Sequence, residues 1–539
     1  MVAEQTKGHT ADPIVTRLVE EDKTPWYKKP NLRVMYVWLF ICCMGVEITS
    51  GFDSQLLNTL QYSDTFNKYF GEGYINPSTN KADIRPSLLG FMNACYQLGT
   101  ILAVPIAPWL NNKYGRRWSI MAGSLIMMAG ALLQGFAQHV AMYIIARMLL
   151  GVGILFAIIG GSALIGELAH PKERPTLTSF FNASYFLGAI LAAGIALGTV
   201  EIIGDWAWRL PSLLQMAPSF LQVATVFLLP ESPRWLVSKD RDEEALAVLV
   251  KYHAEGDANS LLVQAEMEQI RTTIKLEMES AKQTWWSVVS APGMRRRSIV
   301  SIFLGLFTQL SGNSLLSYYS SLLFNMMNYT TPYAKTRINI ANQCWSLLTA
   351  VVIAMYVTRF KRRLAFMTSA TLMLCVFIGM TVSFYNLQVA KDNGTTNNSA
   401  SIAALFFYFS YQPTYNIGNN ALTYTYLLEL WPYGQRTRGI GIQQIFGKAG
   451  LFFSQNVNPL ALTSIGWKFM AIYCGWIAFE FIIVYFLYPE TQGRTLEELA
   501  FLFEGDELND KATAAVEKRI HGDAIQPTVS IEEEKRTNV

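Results

Sequence analysis

The chain is 539 residues long and carries a net charge of +3; 51% of its residues are hydrophobic and only 15% charged, against about 25% in an ordinary soluble domain. With a mean hydropathy of +0.23, that balance excludes a soluble globular protein and points to membrane lipid as the solvent. So small a net charge leaves no electrostatic footprint for nucleic acid.

Residues 1–34 are polar and lack a short apolar core with a small-residue cleavage site, so they read as an N-terminal tail and not as a cleaved leader. Apolar runs follow near 35–60, 86–109, 118–137, 140–166, 176–200 and 210–229, each long enough at about 20 residues per crossing to span a bilayer. Lipid offers the backbone no hydrogen-bond partner, which makes these runs helices. Residues 231–297 are polar and rich in Ala, Leu, Glu and Lys, as expected of a helical linker. Six more apolar runs lie near 298–325, 338–358, 364–388, 400–428, 439–461 and 467–488, before a polar tail over 489–539. The predicted fold class is an all-α membrane protein, with twelve transmembrane helices in two six-helix halves, 35–230 and 298–488.

Lys and Arg crowd alternate short loops: Lys113, Arg116 and Arg117; Lys172 and Arg174; Arg359, Lys361, Arg362 and Arg363; Arg436 and Arg438. The positive-inside rule puts these loops, both tails and the linker in the cytoplasm. Three glycosylation-type triplets, starting at Asn328, Asn393 and Asn397, fall in loops on the other side. Cys42, Cys43, Cys95, Cys344, Cys375 and Cys474 all sit in apolar runs without metal-ligand spacing and read as packing residues. The five histidines lie outside the central helices, and no phosphate-cradling or nucleophile motif occurs, so neither an enzyme nor a metal or cofactor is expected.

The sequence repeats itself. "FLLPESPRWL" closes the sixth run and "FLYPETQGRTLEEL" the twelfth; "NNKYGRRW" after the second pairs with "TRFKRRLA" after the eighth; "GELAHPKERPT" after the fourth pairs with "LELWPYGQRTR" after the tenth. An internal duplication with a cytoplasmic linker suits a carrier that alternates access around a site between its halves. Glu167, Glu231, Glu429 and Glu490 stand at cytoplasmic helix ends near Arg116, Arg174, Arg362 and Arg436, where pairs between them form a latch on the inner face.

A cargo site needs polar side chains aimed from several helices into one cavity. Gln309, Asn313 and Ser317 recur at i, i+4, i+8 in the seventh run; Asn416, Asn420 and Tyr424 do so in the tenth, and Gln444, Lys448 and Gln455 line the eleventh. Glu47, Asp53, Arg147, Lys448 and Glu480 are ionisable groups inside apolar runs, where an unpaired charge costs several kcal/mol. Lys448 has two readings: a donor to the cargo, or the partner of a carboxylate such as Glu480.

Taken together, "PESPRWL", "PETQGRTLEEL", "YGRR", "GFD" at 51–53 and "TQLSGNSLLSYY" at 308–319 resemble the sugar porter family of the major facilitator superfamily over about residues 35–503. "NNALTYTYLLELWPYGQRTRGIGI" narrows the likeness to fungal lactose-permease-like and hexose permeases. Asn112, Thr358 and Lys361 depart from the family's loop motif. The resemblance implies an integral plasma-membrane carrier of a mono- or disaccharide, with Asp53 and Arg147 in the positions that couple protons to sugar. It implies sugar contacts at Gln309, Ser314, Tyr318, Asn182 and Tyr424, and at Ser346 with Asn342 one turn away. Asn313 and Asn420 join them from the polar stripes. Facilitated uniport, nutrient sensing and carriage of a non-sugar metabolite are the alternatives on the same fold.

Overall fold

A computed structural model describes residues 21, 24–76, 81–281, 292–357, 360–431 and 436–492. The first half holds α1 (Pro30–Leu60), α2 (Pro86–Ala103 and Ile106–Tyr114), α3 (Arg116–Gly135), α4 (Val140–Leu168), α5 (Arg174–Thr199) and α6 (Trp206–Leu228). The second holds α7 (Pro292–Leu310, Asn313–Tyr318 and Ser320–Met326), α8 (Pro332–Val357) and α9 (Arg362–Asp392). It continues with α10 (Asn398–Tyr415, Asn416–Asn420 and Thr423–Leu430), α11 (Arg436–Ile465) and α12 (Lys468–Leu487). Among the described residues, seven of these helices pass a strict length-and-hydropathy test for crossing a bilayer, and α2, bent by 50° next to Pro105, makes an eighth. The remaining spans are interrupted or carry more polar residues, for reasons that belong to the site. Two two-residue strands, Ile75–Asn76 and Lys81–Ala82, form a small antiparallel pair in the first loop.

The packing follows the duplication. Contacts of α1 with α5, α2 with α4, and α3 with α4 and α6 recur as α7 with α11, α8 with α10, and α9 with α10 and α12. The two halves meet through α2 on α11 and through α5 on α8, themselves equivalent pairs. With no hydrophobic driving force between helices in lipid, small residues let backbones close on one another. A Cβ built on Gly51 would lie 1.9 Å from the Tyr185 carbonyl oxygen, and one on Gly188 1.9 Å from that of Ile48, so α1 and α5 touch at two glycines.

The repeated Pro-Glu exits acquire a mechanical reason. Glu231 accepts hydrogen bonds from the backbone N–H of Arg116 (3.1 Å) and Arg117 (3.2 Å), and Glu490 from those of Arg362 (2.9 Å) and Arg363 (3.2 Å). Each carboxylate thus caps the start of a helix, α3 or α9, where unpaired N–H groups and the helix dipole favour negative charge. Arg117 and Arg363 return the contact, donating to the carbonyls of Phe227 and Tyr485.

The linker helices Asp242–His253 and Leu261–Ala281 pack Leu249, Val263, Met267 and Ile270 around Trp235 and dock on the first half. The Glu255 carboxylate accepts from the N–H groups of Asn31 and Leu32, at 3.1 Å each. Buried His253 lies 2.7 Å from Glu266 through Nδ1 and 3.2 Å from the Leu168 carbonyl through Nε2, while Arg174 stands 3.9 Å from Glu266. Cys42, Cys43 and Cys95 pack in the interior as expected, but Cys344 and Cys375 are exposed on the outside of the bundle and Cys474 is only part-buried. Their helices turn those positions away from the core, which an apolar run alone does not reveal.

Burial holds the His170 imidazole below its usual range, and Glu266 also titrates low: burial alone would raise it, but His253 and Arg174 outweigh that. A group with a depressed folded pKa stabilises docking above its unfolded value and loses that contribution as pH falls through the folded one. Linker docking should therefore weaken on acidification, first below about pH 6.5 through His170, which lies between α4 and α5 with its ring 5.3 Å from that of linker residue His253, and then below about pH 4.3 through Glu266. Hydrogen exchange over residues 242–281, corrected for intrinsic rates, should rise between pH 7.5 and 5.5, and His170→Gln should remove that first step.

Candidate functional site

α1 divides its polar side chains between two faces. Asp53 points into its own half and is fully buried, with no hydrogen-bond partner on either carboxylate oxygen. Arg147 of α4, 1% exposed, lies with its guanidinium 4.9 Å over the Tyr96 ring and donates from Nη1 to the main-chain oxygen of Asp53 at 3.1 Å. The expected neighbours are adjacent, but the arginine holds the carbonyl of Asp53 and not its carboxylate. Tyr96, which supplies the π face, carries no sequence signal.

Glu47, Ser54 and Asn58, at i, i+7 and i+11, fall within about 40° of one another on the other face of α1. This face meets the second half. Ser320 donates to Asn58 Oδ1 at 2.9 Å and lies 2.5 Å from the Tyr62 hydroxyl; Gln61 donates to the Tyr318 carbonyl at 3.1 Å. These bonds join α1 to α7 at the end of the bundle that carries the glycosylation-type triplets. There Asn328 and Asn393 are exposed, and Asn397 caps α10 by accepting from the Ala400 N–H at 3.0 Å.

α7 breaks at Gly312, whose φ of +100° suits glycine, and a Cβ there would lie 2.2 Å from the Phe377 ring. Around the break Gln309, Asn313, Ser317 and Tyr318 are half-buried, and Ser317 donates to Asn313 Oδ1 at 3.3 Å. Ser314 does not belong with them. It is fully buried, donates to the Gln309 carbonyl at 3.1 Å and accepts from Asn458 of α11 at 3.3 Å, because the next helical piece turns it into the α7–α11 contact. Ser346 is likewise turned inward, its hydroxyl donating to the Asn342 carbonyl at 2.7 Å, whereas the buried Asn342 keeps an unpartnered side-chain oxygen.

A wide π turn over Asn416–Asn420 interrupts α10 and sends its asparagines in different directions. Asn416 donates to Thr349 at 3.2 Å, Asn419 to Glu480 at 3.1 Å, and exposed Asn420 to Asn416 at 2.8 Å. Glu480 also accepts from Ser311, so it is held by two donors and is not the partner of Lys448. Lys448 is half-buried on α11. Gln455 is buried, and its carbonyl accepts from the Tyr319 hydroxyl at 2.5 Å. The side chains of Asn182, Tyr424 and Arg436 lie outside the described residues.

At the basic end the latch residues form two equivalent sets, one per half. Arg116 binds Glu167 with two bonds, at 2.8 and 2.9 Å, beneath the Glu231 cap; Arg362 binds Glu429 at 3.1 Å beneath the Glu490 cap. These pairs fasten each half internally, because each acid sits on the helix packed beside its own arginine, and they do not join one half to the other. Arg174 is engaged with the linker through Glu266. A recess of about 460 Å³ at this end lies between α3, α6 and the linker, lined by Arg117, Trp118, Phe227, Glu231 and Trp235. None of the polar-stripe residues borders it.

Residues 38–503 match the family described as sugar (and other) transporter. A high-affinity glucose transporter of Kluyveromyces lactis is 27% identical over 506 residues, covering 90% of this chain and 88% of the relative. An arabinose-proton symporter of Bacillus subtilis is 24% identical over 501 residues, covering 89% of this chain and 99% of the relative. The inward-open xylose transporter XylE of E. coli shares the fold with a TM-score of 0.71 at 19% identity, over 87% of this chain and all of that one.

Replacing Ser320 with Ala takes the shared partner from buried Asn58 and Tyr62. Backbone hydrogen exchange over 58–62 and 318–322 should rise several-fold while the rest of the bundle is unchanged. Equal exchange in both proteins would show that these bonds do not hold the halves together.

Proposed function

Because the chain belongs to the sugar porter family of the major facilitator superfamily, we propose that it is a proton-coupled symporter of a neutral mono- or disaccharide, working by alternating access. The observation that carries the reading is the pairing of two devices in one bundle. Uncharged donors and acceptors at Gln309, Asn313, Ser317 and Asn420 are half-buried or exposed, and an intramembrane arginine, Arg147, holds the main-chain oxygen of Asp53, whose buried carboxyl has no partner of its own. A uniporter has no use for the second device. Tyr318, Asn342 and Lys448 border the sugar in this reading, and Asn182 and Tyr424 complete its cage.

Coupling follows from the two things Arg147 can hold. With Asp53 protonated, the guanidinium rests on the Asp53 carbonyl and the Tyr96 face, as in the structure. With Asp53 ionised, the carboxylate draws the guanidinium to itself, since a charge-assisted bond is roughly twice as strong as a neutral one. The shift pulls α4 on α1, and the opposite face of α1 carries the Asn58–Ser320 contact to the other half. Proton occupancy is thereby tied to the contact that closes the triplet end. The same reading puts the basic end, both tails and the linker in the cytoplasm of the cell, Asn328, Asn393 and Asn397 outside as glycan acceptors, and the protein in the plasma membrane.

Proteoliposomes offered a panel of labelled mono- and disaccharides, with and without an inward proton gradient, test this directly: uptake should be concentrative only with the gradient. Gln309→Ala should weaken sugar binding by about 1–3 kcal/mol, the cost of leaving buried hydroxyls unpaired, and so raise half-saturation by roughly 5- to 150-fold. An unchanged value for every transported sugar would remove α7 from the site. Asp53→Asn should abolish accumulation yet retain sugar exchange, because the amide mimics the protonated acid; an Asn variant that still concentrates sugar would leave a facilitated carrier.

A further inference from the structure

Glu480 is a carboxyl buried in α12, and among the described residues no ammonium or guanidinium pairs with it. Its partners are neutral and sit on the two interrupted helices: Ser311, directly before the Gly312 break of α7, and Asn419, within the π turn of α10, which donates at 3.1 Å. Arg362 and Arg363 of α9 are taken by Glu429 and the Tyr485 carbonyl, and Lys448 of α11 makes no ion pair with Glu480. The titratable groups that face it are the phenols of Tyr411 on α10 and Tyr488 past the end of α12. A hydroxyl has one hydrogen to give, yet Ser311 Oγ touches two acceptors, the Phe307 carbonyl at 2.6 Å and the Glu480 carboxyl. With Glu480 ionised, Ser311 gives its hydrogen to the carboxylate, and the Phe307 contact is left as two oxygens with nothing between them. With Glu480 protonated, the acid donates to Ser311, Ser311 donates to Phe307, and Asn419 still donates to the other carboxyl oxygen. Every contact then carries a hydrogen, and no charge stands in the hydrocarbon. The first half does the same with an amide, which has hydrogens of its own: Gln222 of α6, the helix equivalent to α12, donates to Thr49 of α1 and accepts from Ser124 of α3.

We propose that Glu480 is a proton-binding group of the second half, separate from Asp53, whose proton sets the α7 break and the α10 turn in the shape that takes cargo. The proton comes from water and adds to one carboxylate oxygen. Its release leaves Glu480 anionic and draws the Ser311 hydrogen away from Phe307. Ser311 immediately precedes Gly312, and Asn419 immediately precedes Asn420, so the change reaches Gln309 and Asn313 on one helix and Asn420 on the other. Glu480 is thus a positioning residue, acting on the cargo through the two helix interruptions it joins. Its effect on cargo rests on the sugar reading above; the proton site itself does not.

The test uses the purified full-length protein in detergent from about pH 5 to about pH 9, a span that covers carboxyl titration in water and in protein interiors. Infrared difference spectra on raising the pH should show loss of the carbonyl stretch of a protonated acid. Glu480→Gln should delete one such band that Asp53→Asn retains, and Ser311→Ala, which takes away the acid's acceptor, should move that band without deleting it. Binding of D-glucose, D-galactose and lactose is read by thermal stabilisation, in an Asp53→Asn background so that Glu480 alone is followed. There the affinity should fall about two- to tenfold as pH rises, the worth of one hydrogen bond. Asp53→Asn/Glu480→Gln should hold its low-pH affinity throughout, because the amide donates to Ser311 as the acid does. Spectra in which Glu480→Gln deletes no acid band overturn the proposal. So does a binding affinity in Asp53→Asn that ignores pH, or a pH dependence that persists unchanged in the double variant. If the Glu480→Gln proteins misfold, Ser311→Ala decides, and acid bands that it leaves unmoved overturn the proposal. Protein that binds none of the three sugars counts against the sugar reading, while the spectra still decide the proton site.

Discussion

A polar group in hydrocarbon must find its partner inside the protein, and the bundle is arranged around that constraint. Tyr411 and Tyr415 donate to the carbonyls of Ser311 (3.1 Å) and Thr308 (2.7 Å), where α7 approaches its break. Gln222 of α6 bridges Ser124 of α3 and Thr49 of α1, at 2.6 and 3.0 Å. Gln309, Asn313, Ser317 and Lys448 stay half-buried outside this set of bonds.

The same constraint explains how the ends of the molecule differ. At the basic end each half is tied to itself, arginine to glutamate and glutamate to helix start, in two copies of one design. At the triplet end the ties run from one half to the other through Asn58, Gln61, Tyr62 and Ser320. Internal fastening keeps each half stiff, and in the proposed cycle the crossing ties are what forms and breaks. Glycine contacts such as Gly51 on the Tyr185 carbonyl leave no slack for α1 to slide on α5, so motion is passed between helices as rotation of a packed unit.

Much of this was legible in the sequence because hydropathy and repetition report directly on it. The helices begin and end within a few residues of the apolar runs, and the Pro-Glu exits sit where the duplication puts them. The one-turn spacing of Asn313 and Ser317, which their hydrogen bond reflects, was readable in the sequence. Ser314 was not, since the break at Gly312 resets the helix and a family alignment carries no sense of direction. The tie between Arg147 and Asp53 was legible as adjacency, but that the arginine holds the carbonyl and not the carboxylate is side-chain geometry that sequence spacing does not give. That Glu480 is held by Ser311 and Asn419 and not by Lys448 was hidden for a different reason: periodicity within one helix says nothing about which helix stands opposite.

The π turn in α10 has a consequence for the sequence itself. One extra residue is accommodated between Asn416 and Asn420, and the three asparagines in these five positions donate to three different partners: Thr349, Glu480 and, from Asn420, Asn416 itself. Were the same residues wound as an ordinary helix, everything from Thr423 to Leu430 would swing by about 100°. Glu429 would leave Arg362, and the Tyr426 hydroxyl would leave the Pro489 carbonyl. The widened turn is therefore what keeps Glu429 and Tyr426 on their partners while the asparagines before them face different ways.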